Sequence, residues 1–146
     1  MRRAHSYDSD LNYSASKKPI SLVMIGAGRS AKFHCNSLSI NKQFDLKYIV
    51  DTDEDKAATL SQTVPCKFHN DIQWVLNNIE CEAVLICSTT DTHYPLTIKC
   101  LQHGKHVFCE KPLGDSEKEI SECFKLANSL NLKLFIAYQK RFDTQY

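Results

Sequence analysis

The segment Ile25-Gly26-Ala27-Gly28-Arg29-Ser30-Ala31, directly after the apolar run Ile20 to Ile25, is the part of this chain best built to bind an anion. It reads as a strand turning tightly into a helix, with glycine where backbone must come close to something. Gly26 is placed to make the turn, and Gly28 to let a pyrophosphate approach the main chain beside Ala27. The amides of Arg29 and Ser30 then point at that phosphate from a helix N-terminus, where the dipole favours negative charge. Ala31 supplies the small residue that close helix–strand packing needs. An acid, Asp51, ends the next apolar run about twenty residues further on, where a carboxylate reaches ribose hydroxyls. These are the parts of a dinucleotide site.

Asp51 also bears on the choice of cofactor. A carboxylate accepts hydrogen bonds from two ribose hydroxyls and repels a 2′-phosphate, so NAD is expected and NADP is disfavoured. Thr52-Asp53-Glu54-Asp55 adds acids and no arginine, although Arg29 could still reach a phosphate. Thr52 or Asp53 is placed to cap the next helix.

The elements that must hold these residues follow from the hydropathy pattern. Strands are predicted at 20–25, 44–50, 67–68, 83–87, 106–109 and 134–137, and helices near 30–40, 53–63, 72–77, 94–103 and 117–130. Ser116 with Glu119 forms a capping box, and Gly104 stands where a helix ending at His103 needs a left-handed residue. Ile120, Cys123, Phe124, Ala127 and Leu130 recur at helical spacing and predict one buried stripe. Trp74, with Val75 and Ile79, reads as core packing. Strands that are apolar throughout, alternating with helices, imply an α/β fold: a doubly wound parallel sheet of the Rossmann, dinucleotide-binding kind. Residues 1–18 read as a flexible tail, 19–140 as this domain, and 141–146 as the start of an exit toward a second domain.

Composition excludes several other classes. The chain is 42% hydrophobic and 24% charged with net charge +1, which points to no nucleic-acid or membrane surface. The longest unbroken apolar run, Ala83 to Cys87, is too short to span a bilayer. Seven cysteines without a C-x-x-C pair, falling mostly in apolar stretches, read as free thiols in a reducing, cytoplasmic compartment. No histidine pairs with them at ligand spacing, so no metal site is expected.

The second half carries Val84-Leu85-Ile86-Cys87-Ser88-Thr89-Thr90-Asp91-Thr92-His93-Tyr94-Pro95, then Gly104-Lys105-His106-Val107-Phe108-Cys109-Glu110-Lys111-Pro112, then Ala137-Tyr138-Gln139-Lys140-Arg141-Phe142-Asp143. With the glycine turn, these motifs resemble the N-terminal cofactor domain of the glucose–fructose oxidoreductase / inositol dehydrogenase / MocA (Gfo/Idh/MocA) family, in particular its inositol 2-dehydrogenase-like members. The resemblance implies hydride transfer between a nicotinamide cofactor and a hydroxyl of an inositol, sugar or related polyol. By matching positions it places Ser88, Thr89, Thr90 and His93 near the nicotinamide end, with Glu110, Lys111 and Gln139 close by. Thr89 stands where many relatives have proline, and Gln139 where asparagine is common. His93 could instead lie on the surface; His34, His69, His103 and His106 read as structural.

Lys111 is the catalytic candidate the resemblance supplies: it lies beside the reacting hydroxyl and relays its proton or hydrogen-bonds it. A lysine partly desolvated beside a cationic ring gives up its proton more readily, which suits that task. The alternative is a strand-end lysine paired with a surface carboxylate. Lys111–Pro112 is expected to be cis by the same resemblance. In the family, a second domain holds substrate and adds an acid and a histidine, and no such domain is contained in these residues. The chain therefore reads as a fragment or isolated domain of a longer dehydrogenase, able to bind cofactor, with apolar surface left for a second domain or a homo-oligomer. The other reading is a non-catalytic nucleotide-binding or regulatory module that keeps only the fold.

Overall fold

The computed structural model describes residues 18–138, so Gln139 and nearly all of the two terminal segments lie outside the described residues. Strands and helices alternate in the order β1 (Ile20–Ile25), α1 (Arg29–Ile40), β2 (Phe44–Val50), α2 (Glu54–Ser61), β3 (Lys67–His69), α3 (Ile72–Asn78), β4 (Ala83–Ile86), α4 (Thr90–Gln102), β5 (His106–Cys109), α5 (Glu117–Ser129) and β6 (Leu134–Ile136). The strands form one six-stranded sheet in the order β3-β2-β1-β4-β5-β6. Every pairing in it is parallel. From β1 the chain winds outward to β3, then crosses back to β4 and winds the other way. The loops leaving β1 and β4 therefore diverge and open a crevice at the carboxyl ends of the strands.

Because successive strand side chains alternate faces, the apolar strands feed two cores. Val23, Ile25, Val84, Ile86, Val107 and Cys109 face Val75 and Leu76 of α3, Cys100 and Leu101 of α4, and Cys123 and Ala127 of α5. Leu22, Met24, Leu46, Ile49 and Leu85 face Ala31 and Cys35 of α1 and Ala57 and Leu60 of α2. Each fully buried aliphatic side chain contributes roughly 1.5–3 kcal/mol. Among the described residues, three helices cover one face and two the other. Phe108 and Phe135, stacked with centroids 5.3 Å apart, lie on the face with fewer helices, and Phe135 is about half exposed.

Capping chemistry sets where several helices begin. Asp53 accepts from the Lys56 amide at α2, and Asp71 from the Gln73 and Trp74 amides at α3. Ser116 accepts from the Glu119 amide, while the Glu119 carboxylate reaches back one residue further than a standard box, to the Asp115 amide. Gly104 closes α4 with φ +70°.

Three expectations are corrected. The fourth helix starts at Thr90, not Tyr94, because the Thr89 carbonyl accepts both the amide and the hydroxyl of Thr92 and so nucleates the first turn. Pro95 lies in its second turn and leaves the carbonyl of Asp91 without the amide that would bond it in a regular helix. Trp74 is not core; it is 41% exposed and stacks flat on His69 at 4.3 Å, leaving Val75 and Leu76 to enter the interior. The stripe on α5 is narrower than predicted. Cys123 and Ala127 are buried with Ile120 and Leu126 beside them, whereas Phe124 and Leu130 turn toward solvent.

Candidate functional site

The crevice at the switch point is shaped first by Gly26. Its φ is +98°, its amide donates to the Val50 carbonyl at 2.7 Å, and a Cβ there would stand 2.6 Å from the Ser88 nitrogen. Only glycine lets the β1–α1 turn pass so close to the end of β4. Gly28 differs: an added Cβ would meet nothing within 4 Å, so its open side faces free space.

Helix ends make the site receptive to an anion. α2, α3 and α5 are capped by the side chains of Asp53, Asp71 and Ser116, whereas α1 and α4, which start at the crevice, have no side-chain cap. α1 also has no acid in its first turn. Its leading amides, those of Arg29 and Ser30 among them, keep donors and the positive end of the dipole for a ligand.

Two cavities meet here. One, of about 360 Å³, includes Gly26, Asp51, Thr52, Asn70, Ser88 and Thr89 in its walls. The other, of about 690 Å³, includes Arg29, Ser30, His34, Thr90, Glu110 and Lys111, and it also touches Ser88. A ligand with two bulky ends joined by an anionic waist matches that shape. An open groove between α4 and α5, lined by Ile98, Glu117 and Lys125, lies away from the strand ends and shares none of these groups.

Asp51 stands at the end of β2 with each oxygen engaged once. Oδ2 accepts from the Ala27 amide at 2.8 Å and Oδ1 from the Asp53 amide at 2.9 Å. The carboxylate thus ties the glycine turn to the start of α2, and lone pairs remain on both oxygens for further donors. Next to it, the Lys56 side chain and amide hold the Asp53 carboxyl below its ordinary range. At the end of β4, the Ser88 and Thr92 hydroxyls lie 2.6 Å apart. Thr89 is the residue before α4, and its side chain makes no capping bond.

Glu110 and Lys111 both reach the larger cavity at a turn whose Lys111–Pro112 bond is cis. The Glu110 carboxylate binds His34 Nε2 at 2.8 Å and accepts from the Lys111 amide at 3.3 Å. His93 is 2% exposed, its ring between two carbonyls: Nδ1 is 2.7 Å from Pro112 O and Nε2 is 3.1 Å from Ser88 O. Both ring nitrogens face backbone carbonyls, of which a neutral imidazole donates to one, so His93 lies between two turns with neither nitrogen turned to open space.

The sequence reading missed His34, which is not merely structural but lines the cavity. A usable signal was its position four residues past Ser30, one turn along the helix that begins at the glycine loop. His69, His103 and His106 stay outside both cavities, bonded to the Asp71 amide, the Lys99 carbonyl and the Lys133 amide. Among the described residues no group of three or more His, Cys, Asp or Glu could hold a metal ion.

Sheet order, crevice and glycine turn together define a dinucleotide-binding Rossmann domain. The chain belongs to the Gfo/Idh/MocA oxidoreductase family, whose NAD-binding Rossmann fold matches residues 20–138. It is similar to the inositol 2-dehydrogenase of Rhizobium meliloti, 29% identical over 84% of this chain and 37% of that protein. It is also similar to the myo-inositol 2-dehydrogenase of Thermotoga maritima, 31% identical over the same shares. The crystal structure of myo-inositol 2-dehydrogenase from Lactobacillus plantarum superposes with a TM-score of 0.80 at 25% identity, over 87% of this chain and 38% of that one. The chain thus spans a little over a third of the length of the relatives it matches. NAD is the cofactor of this fold, and the residues fit it: an uncapped α1, open space at Gly28, and a carboxylate at the end of β2. No helix among the described residues is long and apolar enough to cross a membrane.

Proposed function

We propose that this chain is the cofactor-holding part of an NAD-dependent dehydrogenase acting on a hydroxyl of an inositol, sugar or related polyol. The observation that carries the reading is the meeting of two cavities at Ser88, with Asp51 in one and Lys111 together with the uncapped start of α1 in the other. The amides of Arg29 and Ser30 hold the pyrophosphate over Gly28, with Ala27 and Gly26 shaping the turn. Asp51 takes the ribose hydroxyls of the adenosine half and disfavours a 2′-phosphate. Ser88, Thr89 and Thr90 line the way to the nicotinamide end, where Glu110 and Lys111 stand. When bound, NAD supplies the acceptor or donor of hydride. Lys111 holds the proton of the reacting hydroxyl at Nζ, takes it during oxidation and returns it during reduction. Substrate is oriented by groups beyond those described, since positioning accounts for several powers of ten in such a rate. Free thiols at all seven cysteines suit a reducing, cytoplasmic compartment. The face of Phe108 and Phe135 suits a covering domain or a second subunit.

Calorimetric titration with NAD and NADP tests this. NAD is expected to bind at least about tenfold more tightly than NADP, a difference near 1.4 kcal/mol. Asp51→Asn should weaken NAD and narrow that preference, while its remaining oxygen can still accept one of the two amides. Equal affinity for the two cofactors, or no binding of either, would remove the basis of the assignment.

A further inference from the structure

Lys111 lies between two residues that are each tied to a different helix. On one side, Glu110 Oε1 meets His34 Nε2 of α1 at 2.8 Å, and Glu110 Oε2 accepts from the amide of Lys111 itself. Both side chains of that pair are largely shielded, at 26% and 20% exposure, and the His34 ring packs edge-on to Phe108. On the other side, the Pro112 carbonyl meets His93 Nδ1 of α4 at 2.7 Å, and His93 Nε2 reaches the Ser88 carbonyl. α1 and α4 pack on opposite faces of the sheet, so the two histidines reach the turn from opposite sides.

We infer that His34 and His93 are positioning residues that clamp the Glu110-Lys111-Pro112 turn and so set where the lysine stands. The inference rests on the role proposed above for Lys111. A lysine ammonium rides on a flexible four-carbon stem, so its aim depends on how firmly its backbone is held. Hydrogen bonds shielded from water are stronger and costly to leave half made, so such contacts hold a turn better than exposed ones. The clamp also links sites: α1 begins at the anion-receptive turn, and Ser88 touches both cavities. Seating of the pyrophosphate and placement of the lysine therefore share one framework.

The test is amine labelling of the purified chain with trinitrobenzenesulfonate, read at Lys111 by peptide mass spectrometry with Lys118 as exposed reference. It is run with and without NAD, alongside NAD affinity and thermal stability for each variant. In the unaltered chain, saturating NAD is expected to slow labelling of Lys111 by about tenfold. His34→Gln keeps a donor where Nε2 stood, and His93→Asn keeps one where Nδ1 stood; both should retain the protection. His34→Leu and His93→Gln lose the link to the turn. They should lose most of the protection and change the NAD-free labelling rate at least about threefold, with affinity for NAD changing less than that. A purely structural role would make protection follow thermal stability instead of this pairing. Equal NAD-free rates and equal protection in all folded variants would overturn the clamp. Failure of the unaltered chain to bind NAD would overturn the functional reading instead, and the NAD-free rates would still decide the clamp.

Discussion

Gly26→Ala is expected to destabilise the domain by roughly 3 kcal/mol or more, whereas Gly28→Ala leaves its stability nearly unchanged and abolishes tight NAD binding. At Gly26 the methyl would collide with backbone, 2.6 Å from the Ser88 nitrogen and 2.7 Å from the Cys87 carbonyl carbon and oxygen. Neither neighbour can swing aside, because the Cys87 amide is itself bonded to the Ile25 carbonyl at 2.7 Å. The residue would also have to keep φ +98°, which costs an L-amino acid about 1–2 kcal/mol alone. At Gly28 the φ of −80° suits any residue and the space is open. A methyl there is harmless in the free protein but occupies the approach of a pyrophosphate to the α1 amides. Thermal unfolding and calorimetry on the two variants separate these effects. The expected pattern is a melting point lowered by about 10 °C or more in the first, and an affinity loss of at least about tenfold in the second. A Gly28→Ala chain binding NAD like the parent would show that no phosphate passes over that residue.

Alkaline pH should weaken this domain steeply once it passes 9. Burial pushes the thiols up from their ordinary 9.0, to about 12 for Cys100 and Cys109 and about 11 for Cys123. Burial raises those of Cys35, Cys66, Cys81 and Cys87 as well. Above pH 9 the unfolded chain releases these protons while the folded chain keeps them, so stability falls as pH rises through that window. Each such thiol removes about 1.4 kcal/mol per pH unit. That slope is reached only well above pH 9, where the unfolded thiols are mostly ionised, so Cys100, Cys109 and Cys123, all fully buried, together cost about 3 kcal/mol between pH 9 and 10, against a typical total of 5–15 kcal/mol. Urea unfolding under reducing conditions at pH 8, 9 and 10 measures this directly. Constant stability across that range would mean that these thiols titrate alike in both states.

The resemblance to inositol dehydrogenases rests on residues within 20–138, yet the shape that makes them a site comes from the sheet order. β1 and β4 become neighbours only when α3 returns the chain across the sheet, which brings Ser88 against Gly26. The two cavities follow from that adjacency.

What local sequence determined by itself is the set of elements and their caps. β1, β2 and β5 fall where they were expected because strands in a covered parallel sheet are dominated by apolar residues, and such short apolar stretches are visible without any partner even where Ser21, Asp45 and Lys47 interrupt them. Asp53, Ser116 and Gly104 act within four residues of themselves, so their roles were equally legible. Tertiary structure alone decided the rest. His34 meets Glu110 across 76 positions of chain, and His93 meets Pro112 across 19; neither separation leaves a periodic trace. The exposure of Trp74, Phe124 and Leu130 likewise depends on how far each helix rolls over the sheet. Hydrophobic spacing defines a stripe, but the neighbouring elements decide how much of it they cover.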